Sequence, residues 1–230
     1  MSRRGVVLVP YLTHVEPACE RGLRGLERRG TEVRRFAATA AIDRTRSEMA
    51  TTALRDGFDD LVWIDSDIAF EPDDVARLRA HELPIVGGIY AKKGVPAFAL
   101  HLLPDARTLR VGDGGGLVAV RYLATGFLCT RREVYADIQR HFSLPVCNQR
   151  FGAAVVPYFL PMVIKDGDGY WYLGEDYAFG ERARLAGHAT MADTVIRLGH
   201  IGSYAYSWED VGQQIPRVTG AQFEFPPEEE

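Results

Sequence analysis

The chain is short of cysteine, short of lysine among its cations, and without any long apolar run. Its three cysteines, Cys19, Cys129 and Cys147, are odd in number, widely spaced and lack a CxxC pair. That excludes a disulfide framework or a zinc knuckle and points to a reducing compartment, expected to be the cytoplasm. No stretch approaches the roughly eighteen apolar residues of a membrane span. The first residues, Met1 to Gly5, lead into a few apolar residues and Pro10 with no small-residue cleavage site, so no signal peptide is expected. Basic excess is missing as well: 27 Lys and Arg face 31 Asp and Glu, for a formal net charge of −4 and a pI near 5.9. Such a chain has no field to hold a polyanion, which argues against nucleic acid as a partner. Only Lys92, Lys93 and Lys165 are lysines, an arginine bias that, with abundant alanine and glycine, fits a GC-rich bacterial genome. What remains is 230 residues, 47% of them hydrophobic, enough to bury a substantial core in one domain.

The first half reads as alternating strands and helices. Val6 to Val9 is a short β-branched run closed by Pro10, and Pro17 to Arg29 is a helical stretch stopped by Gly30. Thr31 to Phe36 follows as a strand. Thr45-Arg46-Ser47-Glu48 matches a capping box, which places a second helix from there to Gly57. Leu61 to Ile64 is continuously apolar, as a strand covered on both faces should be, and Pro72-Asp73-Asp74 opens a third helix before a strand over Pro84 to Ile89. This order implies a parallel, doubly wound α/β sheet. In the second half, Ala97–Leu103, Leu117–Arg121 and Tyr122–Thr130 read as strands, and Arg131–His141 and Glu175–Ala186 as helices. Residues 143–156 lack a clear period and read as a mobile loop, a candidate lid, and residues 226–230 as a disordered tail. The organisation expected is one domain over 1–225, with a first half to about residue 95 and a second half beyond it.

The sharpest chemical signal is Asp65-Ser66-Asp67, two carboxylates at i and i+2 where an apolar strand ends. In an extended chain alternate side chains point the same way, so the two converge on one point. That point lies beyond the carboxyl end of a parallel strand, where open α/β sheets bind ligands. Paired carboxylates there suit a hard divalent cation, and through it a diphosphate. The competing explanation, that both acids cap the next helix or face solvent, is weakened because Glu71, Asp73 and Asp74 already serve that helix.

Asp65-Ser66-Asp67 resembles the Asp-x-Asp motif of GT-A fold, family 2-like glycosyltransferases, which bind a nucleotide-sugar through Mn²⁺ or Mg²⁺. Three further features follow in that family's order: Thr125-Gly126-Phe127-Leu128, in partial likeness to a Gly-x-Gly-Phe stretch; Gly174-Glu175-Asp176 with its helix; and His200 between Gly199 and Gly202. The resemblance implies a GT-A type doubly wound mixed sheet flanked by helices, with a nucleotide-binding half over about 1–95 and an acceptor-side half over about 96–225. It implies Asp65, Asp67 and His200 as metal ligands for Mn²⁺ or Mg²⁺, and Asp176 as the base that deprotonates the acceptor in an inverting transfer. The helix start at Asp176 is expected to lower its pKa, easing ionisation. Its alternative is plain dipole satisfaction.

For the donor, expected to be UDP-linked, the resemblance points to the loop after the first strand, Pro10, Tyr11 and Thr13, and to Asp43, Arg46, Asp65 and Ser66. Each has an ordinary counterpart: a plain loop, or an exposed helix arginine. Lys92 and Lys93 stand at the same edge as candidates for a phosphate, or as a solvated pair, and Trp171 and Tyr172 as acceptor-stacking or core residues. The acceptor is open among glycan, lipid, peptide and small metabolite, with no integral membrane contact expected. Two other functions are carried alongside. A sugar nucleotidyltransferase would show a glycine-rich basic loop after the first strand, which Pro10-Tyr11-Leu12-Thr13-His14 is not; a non-catalytic nucleotide- or glycan-binding module would have lost Asp67, Asp176 or His200, and all three are present.

Overall fold

A computed structural model describes residues 3–39, 41–202, 204–211 and 219–225. In chain order the elements are β1 (Gly5–Tyr11), α1 (Pro17–Arg28), β2 (Glu32–Ala37), α2 (Ile42–Arg55), β3 (Asp60–Ile64), β4 (Ile68–Ala69) and α3 (Pro72–Ala80). There follow β5 (Ile85–Gly88), β6 (Leu100–Leu102), β7 (Thr108–Gly112), β8 (Leu117–Leu123), β9 (Phe127–Arg131) and α4 (Arg132–Phe142). The last are β10 (Met162–Asp166), β11 (Gly169–Leu173), α5 (Glu175–Leu185), β12 (Thr190–Asp193), β13 (Gly199–Ile201), β14 (Ala205–Tyr206) and β15 (Gly220–Glu224).

Eight strands form the main sheet in the order β2-β1-β3-β9-β5-β12-β8-β6. The expected mixed α/β sheet, covered by helices on both faces, is the one observed. β1 is the clearest case of its logic: Val6 and Leu8 enter one core with Met49 and Ala53 of α2, while Val7 and Val9 enter the other with Leu23 and Leu26 of α1. Period-two alternation on a strand with both faces covered produces the continuous apolar run read from the sequence. The first core also takes Tyr135 of α4 and Phe179 of α5, and the second takes Val75 and Leu78 of α3.

The structure corrects two expectations about the first half. β3 and β5 are not neighbours: β9 lies between them, antiparallel to both, so the sheet is parallel only over β2-β1-β3 and β5-β12. A strand supplied from forty residues downstream leaves no trace in local pattern. The second helix starts at Ile42, three residues before the capping box. Thr45 is inside it, its hydroxyl donating to the Ala41 carbonyl at 3.2 Å, and Glu48 pairs with Arg44 at 2.8 Å instead of turning back to Thr45.

Other differences lie in the second half. β7 and the β10–β11 hairpin were not expected. Residues 143–156 are tied down at one end, where Cys147 and Val155 bridge, Val156 is buried, and its N–H donates to Thr51 Oγ1 at 3.0 Å. The expected tail, 226–230, lies outside the described residues.

One buried relay joins the sheet to α4. Trp63 Nε1–H donates to Tyr135 Oη at 2.9 Å, and Thr130 Oγ1, which donates to the Leu61 carbonyl at 3.1 Å, accepts the Tyr135 proton at 2.8 Å. Removing the phenol orphans a buried indole N–H. Tyr135→Phe is therefore expected to lose about 1–2 kcal/mol in a denaturant melt.

Candidate active site

The candidate residues reach one edge of the main sheet from several elements distant in the chain. Asp65 leaves the end of β3, with its N–H donating to the Gly126 carbonyl (2.9 Å) just before β9. Beyond Ile64 the chain turns, as the Ile68 N–H to Asp65 carbonyl bond at 3.1 Å shows. Extended geometry is lost at that turn, and with it the expected convergence of Asp65 and Asp67. The two carboxylates take different partners.

Asp65 is held by Arg46. The guanidinium, 3% exposed in the first half of α2, donates from Nη2 to Asp65 Oδ1 at 2.7 Å, lies 3.7 Å through Nε from Glu175 Oε1, and sits 5.8 Å from the Trp63 ring centre. Its Nε and Nη1 have no hydrogen-bond partner among the described residues. Arg46 is thus a buried cation between two carboxylates with donor capacity left over, and the exposed-helix explanation fails.

Asp67 is held differently. β13 pairs with β4 so that His200 lies opposite Ile68, and the Ile201 N–H donates to the Asp67 carbonyl at 2.7 Å. This register carries His200 to Asp67, its Nε2 3.6 Å from Asp67 Oδ2. His200 Nδ1 lies 2.8 Å from the Ala91 carbonyl, an acceptor only, so Nδ1–H donates there and Nε2 is the ring nitrogen turned toward Asp67. Lys93, from the loop after β5, pairs through Nζ with the same Asp67 oxygen. Burial by itself would raise the Asp67 carboxyl, but His200 and Lys93 outweigh it and hold it below the ordinary carboxylate value.

The three expected metal ligands therefore do not come together. Among the described residues no three His, Cys, Asp or Glu side chains form a metal-holding group, because Arg46 has taken Asp65. One carboxylate oxygen and one imidazole nitrogen remain, with the Lys93 ammonium as a stand-in cation on the carboxylate. That donor set fits a hard divalent ion that draws its other ligands from a diphosphate and water.

Asp176, in the first turn of α5, also departs from expectation. Its pKa is raised to about 6 rather than lowered: burial is the largest cause and the neighbouring Glu175 charge the next, with Asp65 adding to them. The Tyr177 N–H, 2.7 Å from Asp176 Oδ1, and Arg46 oppose the rise without cancelling it. The field of the helix start is real but is outweighed by desolvation and two like charges.

Gly126 is required by contact, which separates it from an ordinary strand glycine. Its N–H donates to Tyr90 Oη at 3.1 Å, and a Cβ there would overlap that hydroxyl and lie 2.9 Å from Asp65 Oδ2. A Cβ on Gly174 would meet nothing nearer than 3.8 Å. Gly126→Ala is expected to cost about 2–3 kcal/mol in thermal or denaturant melts and to displace Asp65, while Gly174→Ala leaves both close to wild type.

A cleft of about 300 Å³ is lined by Pro10, Tyr11, Leu12, Ala38, Thr39, Ile42, Arg46, Asp65, Ser66, Asp67 and Glu175. Of the sequence candidates for the donor it gathers Pro10, Tyr11, Arg46, Asp65 and Ser66. Thr13 and Asp43 do not line it; Thr13 instead meets His14 Nδ1 at 3.0 Å. Glu175, named in the sequence only within Gly174-Glu175-Asp176, joins the cleft, and Tyr90, whose hydroxyl meets the Gly126 N–H, was given no role by the sequence. Trp171 turns inward against His101 and Tyr122, with ring centres 4.8 and 5.5 Å away, whereas Tyr172 is 68% exposed. A larger groove, about 820 Å³, runs past Arg21, Arg28, Arg29 and Arg197 but touches none of Asp65, Asp67, Asp176 and His200.

No protein family and no curated protein matches the sequence. Among solved structures, A197 from STIV aligns over 94% of this chain and 97% of its own, at 17% identity and a TM-score of 0.59. This chain has the fold of A197. Two others align more loosely. A glycosyltransferase involved in the glycosylation of the major capsid of PBCV-1 covers 60% of this chain and 65% of its own, at 11% identity and a TM-score of 0.35. Residues 1–349 of TarS from S. aureus cover 89% and 59%, at 14% identity and a TM-score of 0.36. Likeness at that level carries no weight for function, which rests on the site. No helix among the described residues is long and apolar enough to cross a membrane.

Proposed function

We propose that the protein is a glycosyltransferase that moves a sugar from a nucleotide-sugar, UDP-linked, to a hydroxyl acceptor, with inversion and with Mn²⁺ or Mg²⁺. The observation that carries this reading is the division of labour at the sheet edge: Arg46–Asp65 on one side, Asp67–His200 on the other, and a carboxyl raised to about 6 beside them. Pro10, Tyr11 and Leu12 line the 300 Å³ cleft, where a base would stack on the phenol. The buried Arg46 offers its unused N–H groups to the donor, and Asp65, steadied by Arg46, accepts from ribose or sugar hydroxyls. Asp67 and His200 would hold the divalent ion, which when bound neutralises the charge that grows on the departing diphosphate.

Asp176 accepts the proton from the acceptor hydroxyl as its oxygen bonds the anomeric carbon and the carbon–phosphate oxygen bond breaks. A carboxylate of pKa about 6 is ionised at neutral pH yet more basic than an exposed one, which suits it to that proton. The three thiols are free, Cys19 and Cys129 buried, which accords with the cytoplasmic location proposed here.

Hydrolysis and transfer assayed with a panel of nucleotide-sugars, with and without EDTA, test the reading. Turnover of at least one donor that falls more than about tenfold on chelation is expected. Pyrophosphate release from a nucleoside triphosphate and a sugar phosphate would instead identify a nucleotidyltransferase.

A further inference from the structure

We infer that Lys93 is a built-in competitor cation for Asp67, which excludes a divalent ion until a donor diphosphate draws the lysine away, so that ion and nucleotide bind as one unit. The inference rests on the glycosyltransferase reading and adds to it the order and coupling of binding.

Three observations support it. The Lys93 ammonium meets the same Asp67 oxygen that His200 Nε2 faces at 3.6 Å, so it stands where the two candidate ligands point. Its stem is led there past Gly202, where a Cβ would already touch Lys93 Cδ at 3.5 Å. The pair is also chemically distinct in this protein: among the described residues it is the one carboxylate ion pair made by a lysine, the rest being made by arginine or histidine. An arginine fork grips a carboxylate with two bonds in a fixed plane, whereas an ammonium is a point charge on a flexible stem that can exchange partners. Lys93 and Asp67 are 36% and 30% exposed, open enough for exchange.

A free ion must displace the ammonium at a loss of the Lys93–Asp67 attraction, and so binds weakly. When a diphosphate is present the lysine finds a new anionic partner and Asp67 is released to the ion. Coupling of this kind is reciprocal: nucleotide tightens the ion and the ion tightens nucleotide by the same factor.

Mn²⁺ titration followed by electron paramagnetic resonance, without and with UDP, tests this on the full chain. Lys93→Met is expected to bind Mn²⁺ alone at least tenfold more tightly than wild type and to show a smaller gain on adding UDP. Lys93→Arg is expected to bind Mn²⁺ alone more weakly than wild type, and Lys92→Met to match wild type. A Lys93→Met affinity within twofold of wild type, while both take up Mn²⁺ with UDP, overturns the competition and leaves the glycosyltransferase reading intact. If wild type takes up no Mn²⁺ even with UDP, the metal-dependent reading and the competition fall together. Thermal melts of each variant, run beside the titrations, separate loss of folding from loss of binding.

Discussion

Asp176→Asn is expected to abolish most turnover and, at the same time, to make the protein more stable above pH 6. The loss of a positioned general base corresponds to about 10²–10⁴ in kcat, with UDP affinity within a few-fold of wild type. The gain in stability follows from linkage. The folded Asp176 titrates at about 6, raised first by burial and then by the Glu175 charge, whereas in an unfolded chain it titrates near ~3.9. The folded state therefore binds this proton more tightly than the unfolded state does. Above pH 6 the native protein must carry an ion that its surroundings disfavour, and asparagine removes that cost. Two pKa units correspond to roughly 2.7 kcal/mol, which solvent reaching the half-buried carboxylate reduces to about 1–2 kcal/mol.

The gain should be full at pH 8, shrink as pH falls through 6 and vanish only below about pH 3, where the carboxyl is neutral in both states. Urea melts of both proteins at three pH values measure it. A variant no more stable than wild type at pH 8 contradicts the assigned environment. Wild-type turnover should fall on the acid side with a midpoint near 6 for the same reason.

Arg46→Met is the second large effect. It leaves Asp65 and Glu175 facing one another beside Asp176 with their shared cation gone. A buried cation removed from between carboxylates typically costs about 3–5 kcal/mol, and partial exposure of both acids brings the expectation to about 2–4 kcal/mol. Because Arg46 is one of the groups opposing the rise at Asp176, its loss should move the acid limb of the pH–rate profile upward from 6. Residual activity, if any, should need higher pH. Arg46→Lys is expected to recover part of the stability but little of the donor affinity, since a single ammonium cannot span both carboxylates. Wild-type stability together with an unmoved acid limb would show that Arg46 is not the organising cation.

The two substitutions separate two uses of charge at one sheet edge. Burial and like charge raise Asp176, which would suit it to the base role proposed for it; Arg46 limits how far the rise goes. Lys93 performs a similar balancing role on Asp67 from the other side.

Much of this was legible in the amino-acid order, for identifiable reasons. The apolar runs at Val6–Val9 and Leu61–Ile64 carry strand periodicity within themselves, and Pro72 followed by acids announces a helix start. Those signals are local, so the sequence alone determined an α/β sheet with helices on both faces. Motif and place in the chain also singled out Asp65 and Asp67 after β3, Asp176 at the start of α5 and His200 in β13 as candidates.

Their relations were decided only by tertiary structure. That Asp65 and Asp67 part company depends on a turn beginning one residue after β3, and an i, i+2 spacing has opposite meanings in a strand and in a turn. The sign of the Asp176 shift depends on burial first, then on the adjacent Glu175 and on Arg46 of α2 and Asp65 beyond β3, and the burial and the distant charges lie outside any local window. His200 meets Asp67 because β13 takes one register on β4, and β9 enters between β3 and β5 because long-range pairing places it there. Sequence specifies which groups are present and the local geometry each prefers; distances between distant segments set the electrostatics, and those exist only once the chain is folded.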